Sequence, residues 1–108
     1  MNMPDRVQIG PYPYEIREWD HAVSVEAGAY GLCDMENQTI WVRQTLKGPR
    51  KAEVLLHEIL HACWESGSLP DAPDEEYAVN ALGIQLTQAM RANPEVFRWI
   101  ISNARKAR

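Results

Sequence analysis

Residues 49–66 read PRKAEVLLHEILHACWES, and this stretch decides the fold and carries the chemistry. Gly48-Pro49 marks a change of regime, since proline suits the first position of a helix, and Gly67 suits its end. The spacing predicts a helix from about Pro49 to Ser66. Leu56, Ile59, Leu60 and Cys63 fall on one side, which should pack on a sheet. Lys51, Glu58 and Glu65 recur every seven residues on the other side, flanked by His57 and His61. Lys51 and Glu65 read as a plain solvent face. The histidines read differently: two of the chain's three stand in one turn, bordered by Val54, Leu55 and Trp64, as on the floor of a cleft.

Within the helix, His57 to His61 spells HEILH, an instance of H-E-x-x-H. Four residues of α-helix turn through about 400°, so both imidazoles project from one face about one turn apart and can grip one metal ion. A zinc ion with three protein ligands keeps a fourth position for water, whose pKa it lowers to roughly 7. A carboxylate beside the first histidine, Glu58 here, can take that water's proton and pass it to a leaving amine.

Towards the N-terminus, the sequence alternates and is punctuated like a small antiparallel sheet of three to four strands. The runs are Arg6 to Ile9, Tyr12 to Trp19 after the Gly10-Pro11 break, Ala29 to Cys33, and Thr39 to Arg43. In the second run Tyr14 and Ile16 point one way and Glu15, Arg17 and Trp19 the other. Residues 34–38 form a hairpin loop, and His21 reads as a surface histidine in a loop between strands. Thr39 to Arg43 is the candidate for an exposed edge that could align a peptide by strand addition.

Towards the C-terminus, Gly67 to Pro73 is turn-rich and should reverse the chain. Asp74 suits the N-cap of a helix running to about Asn93, with Val79, Leu82, Leu86 and Met90 as its buried stripe. Asn93-Pro94 ends it, and a last helix from about Glu95 to Arg105 should bury Val96, Phe97, Ile100 and Ile101. Two histidines seldom hold zinc alone. Asp74, Glu75 and Glu76 stand where acids also cap a helix, yet Glu75 and Glu76 straddle the Val79/Leu82/Leu86 stripe. At least one of their carboxylates should therefore face the HEILH helix, where a metal would be its partner.

HEILH followed 15 residues after His61 by Glu76, Tyr77, Ala78, Val79 and Asn80 gives HExxH plus ExxxN. This resembles the gluzincin arrangement, and the short connection after a small sheet is similar to the minimal zincin-like proteins of phages and the ImmA/IrrE group. The resemblance implies that His57 and His61 ligate one zinc ion per chain, that Glu58 is the general base and that Glu76 is the third ligand. Asn80 would accept from a ligand imidazole N–H and fix its tautomer. Glu75 remains an alternative third ligand. The chain departs from large zincin peptidases in having no second domain to wall a groove. Nor is any oxyanion donor identifiable among Tyr12, Tyr14, Tyr30 and Tyr77.

At 108 residues, 45% hydrophobic and 24% charged, the chain suits one soluble α+β domain with its own core. The net charge of −4, with basic residues run together only at Arg105, Lys106 and Arg108, argues against nucleic acid as a ligand. No stretch reads as a membrane span or a secretory signal, so the expectation is a cytoplasmic protein without a membrane partner. Cys33 and Cys63 read as reduced core residues. The expected function is a zinc metallopeptidase acting on a peptide or protein. The alternative is a zincin-fold regulatory or interaction module, such as a phage accessory protein, in which metal serves the fold and a protein partner replaces the substrate.

Overall fold

Gly10, at φ +56°, takes a backbone conformation that few other residues tolerate and turns Arg6–Ile9 (β1) back onto Tyr12–Trp19 (β2). In the computed structural model residues 2–71 and 74–107 are described, with the side chains of Glu75 and Val79 outside that description. After β2 the chain forms a short helix, His21–Ala27 (α1), then Gly31–Asp34 (β3) and Thr39–Arg43 (β4). Three helices complete the fold: Gly48–Ser66 (α2), Glu75–Ala92 (α3) and Pro94–Ala104 (α4). The architecture is α+β, a four-stranded sheet with helices.

Two features of the sheet differ from the sequence reading. The helix α1 replaces the expected loop around His21: Asp20 caps it by accepting from Val23 N at 3.2 Å, and Gly28 closes it at φ +71°. The sheet is also mixed rather than antiparallel. Its order is β1-β2-β4-β3, with β2 and β4 parallel and the other two pairs antiparallel. Interposing α1 and β3 between β2 and β4 lets β4 return in the same direction as β2 and enter the middle of the sheet. The edge strands are therefore β1 and β3, and Thr39–Arg43 is interior.

One face of the sheet is apolar. Val7, Ile9, Tyr14, Ile16, Ile40 and Val42 point inward and are buried, as the period of two requires, whereas Glu15 and Arg17 are exposed. Helix α2 packs across β3, β4 and β1, with α4 against α2 and α3 against β1 and α2. Its buried residues are Ala52, Leu55, Glu58, Ile59, Ala62 and Cys63. Glu58 is thus buried although it shares the seven-residue spacing of Lys51 and Glu65. On α3, Asp74 is the N-cap, accepting from Tyr77 N, and Leu82 and Leu86 pack on the core. Ala89 is buried there while Met90 is 51% exposed. Val79 and the end of the 67–73 connection lie outside the described residues. On α4, Trp99 at 2% exposure takes the inward place expected of Ile101, which is 56% exposed; Val96, Trp99, Ile100 and Asn103 form the i, i+3, i+4, i+7 stripe. No helix among the described residues is long and apolar enough to cross a membrane.

Asn93, between α3 and α4, clamps the first strand. Its Oδ1 accepts from Gln8 N at 2.8 Å, and its Nδ2 donates to Gln8 O at 2.7 Å and Ala89 O at 2.8 Å. Asn93→Ala strands both main-chain groups of Gln8 half-buried, and we expect a loss of about 1–3 kcal/mol, measured by urea unfolding.

Candidate metal centre

The histidines stand on α2 at positions separated by one turn, with Nε2 of His57 and Nε2 of His61 3.1 Å apart. Their rings meet edge to face, 4.8 Å between centroids and 75° between planes. Two imidazole nitrogens on one tetrahedral zinc, at 2.0–2.1 Å each, would be about 3.3 Å apart, so the pair is already spaced for one ion. The same distance serves an N–H···N hydrogen bond when one ring is protonated at Nε2. Both side chains are exposed and accessible to an ion from solvent.

Glu58 joins them. One ligand atom each from His57, Glu58 and His61 lies within 4.8 Å of the others. The carboxylate is 6% exposed, and Gly31 on β3 makes the room for it. A Cβ at Gly31 would come within 2.8 Å of Glu58 Oε2 and 2.7 Å of Val54 Cγ1, so that both side chains would have to shift. Burial pushes the pKa of Glu58 up, opposed by the nearby charges of His57 and His61. The Cys33 thiol, half-buried on the same strand, is pushed up to about 12 by burial first and by the Glu58 charge next. Cys63 is buried and pushed up to about 11. Both cysteines are free.

A cleft of about 390 Å³ runs beside this group along α2, from Arg50 to Glu58, with Ala29, Tyr30 and Gly31 as its far wall. The ring of Tyr30 is stacked by the guanidinium of Arg43, 4.5 Å from its centroid, and by that of Arg50 at 5.5 Å. No protein-family model, curated protein or solved structure matches the chain.

The structure thus brings together His57, Glu58 and His61. Glu76 and Asn80 are exposed on α3 and, among the described residues, stand outside that group; the Glu75 side chain lies outside the described residues. His21 heads α1 with its Nδ1 3.0 Å from Thr45 Oγ1, a surface histidine as expected. Of the tyrosines, Tyr14 is in the core with its phenol pushed up to about 12, first by burial, and Tyr30 alone of the four lines the cleft. Gly31, Tyr30 and Arg50 carry no signal in the sequence, because their role depends on β3 crossing α2. Helix α1 was legible: Asp20 and Gly28 are its cap residues.

Proposed function

We propose that the chain is a small zincin-like zinc metallopeptidase. The observation that carries this reading is the convergence of the two Nε2 atoms, 3.1 Å apart, with a buried glutamate between them in sequence. His57 and His61 would hold the zinc, with Glu76 as the third ligand and Glu75 as its rival. When bound, zinc supplies Lewis acidity and lowers the pKa of water to roughly 7.

Glu58 is the general base. Its carboxylate would accept a proton from water and return it to the departing amine. In the metal-free protein burial pushes the pKa of that carboxylate up, and a bound divalent ion would draw it down again. The edge strand β3, beside the cleft, offers main-chain N–H and C=O groups to an extended peptide. Tyr30 is the one tyrosine of the four placed to donate a hydrogen bond into the cleft.

The test is zinc content per chain together with cleavage of a mixed peptide library by the zinc-loaded protein. One zinc per chain with cleavage that a chelator abolishes is the expected result. Zinc without any cleavage would turn the reading to the regulatory module, and absence of zinc binding after reconstitution would overturn it.

A further inference from the structure

The His57–Glu58 cleft does not end at Arg50. Arg50 and Glu53 also line a larger cavity, about 1190 Å³, at the start of α2. That cavity is basic. Lys47, Arg50, Lys51 and Lys106 face Glu18 and Glu53 in its wall, four positive charges against two negative, or +2, in a chain whose net charge is −4.

Among the described residues only part of this charge is neutralised within the protein. Lys51 is held by Glu18 at 2.9 Å. Arg50 meets Glu53 at 3.9 Å on an exposed i, i+3 pair, which is a weak attachment. Lys106 spends one N–H on Asn103 Oδ1 at 3.2 Å and keeps two. The Arg50 guanidinium is stacked on Tyr30, so its planar fork is steadied without being consumed, and that fork matches a carboxylate in two-point fashion.

We infer that the substrate is an acidic peptide, with a glutamate or aspartate about three residues from the cleaved bond and further acidic residues beyond it. This rests on the peptidase reading above. Arg50 precedes His57 by seven residues, about 10 Å of helix, which an extended peptide covers in about three residues at roughly 3.3 Å each. The chain beyond that point enters the basic cavity, where Lys47 and Lys106 receive it.

The experiment measures binding by fluorescence anisotropy to the zinc-loaded Glu58→Gln protein, which cannot consume its ligand. The probes are labelled twelve-residue peptides differing only in four Glu, four Gln or four Lys, with a twelve-nucleotide single-stranded DNA as a polyanion control. The Glu peptide is expected to bind about tenfold more tightly than the Gln peptide, with the preference shrinking as salt rises. Arg50→Gln and Lys106→Gln, added to that protein with its melting temperature unchanged, should each lose about three- to fivefold for the Glu peptide alone. Equal affinity for the Glu and Gln peptides overturns the inference, as does indifference to both substitutions. Tighter binding of the DNA overturns it in favour of a nucleic acid. Cleavage by the wild-type protein separates the two readings. Acid-selective binding without cleavage keeps the basic cavity as an acidic-peptide site and rejects the peptidase, whereas cleavage of Gln and Glu peptides at equal rates keeps the peptidase and rejects acid selection.

Discussion

The Glu58→Gln protein is expected to bind zinc at the wild-type stoichiometry and to cleave peptides about 10²–10⁴-fold more slowly, the range a positioned general base supplies. Cleavage at the wild-type rate would remove Glu58 from the mechanism. The same substitution should stabilise the metal-free protein. Burial raises the folded-state pKa of Glu58 above its ordinary 4.5, so the ionised carboxylate is disfavoured in the folded state. Its contribution to stability is therefore complete below about pH 4.5 and is lost as pH rises through the folded value. Glutamine carries no charge to desolvate. Near pH 7 the gain should be about 1 kcal/mol, or roughly 4–8 °C in Tm, vanishing in acid. A variant that melts lower at neutral pH than the parent would show that the carboxylate is satisfied rather than strained.

His61→Ala should abolish zinc binding and with it the largest conditional stabilisation available to the fold. A ligand present at a thousandfold its Kd stabilises by about 4 kcal/mol, enough to raise Tm by roughly 18 °C in a domain of this size. Calorimetric scans with and without zinc should show that rise in the wild-type protein and none in His61→Ala. The same scans on Glu76→Gln and Glu75→Gln identify the third ligand, since only the one that binds flattens the response. A zinc-dependent shift that survives His61→Ala would place the ion elsewhere.

What could be read from the sequence was what is local. The HEILH turn, the Pro49 start, the Asp74 cap and the Asn93-Pro94 break each depend on a few neighbouring residues, and the structure keeps them. What could not be read was set by residues distant in sequence. The wheel puts Glu58 opposite the apolar side of α2 and gives no sign that it is buried, which follows from the passage of Gly31 over α2. Thr39–Arg43 looked like an edge because hairpins are the default pairing of adjacent strands; its alternation of Ile40, Trp41 and Val42 cannot say which neighbours it takes. Met90 and Ile101 read as inward on hydrophobicity, whereas Ala89 and Trp99 are the residues buried there, Trp99 on a helix that packs against α2 and α3. Helix α1 is a different case: the segment reads as a loop, although Asp20 and Gly28 bracket it as cap residues.

The placement of β4 has a kinetic consequence. The β1–β2 hairpin and the HEILH turn close over short loops and can form early in folding. β4 must insert between β2 and β3, and its pairing with β2 joins residues 24 positions apart in register, Glu15 with Thr39 through Trp19 with Arg43, at a larger loop-closure cost. Until that step is complete, Gly31 is not held over α2. The nascent chain therefore brings the two histidines onto one turn of helix before it buries Glu58 between α2 and β3.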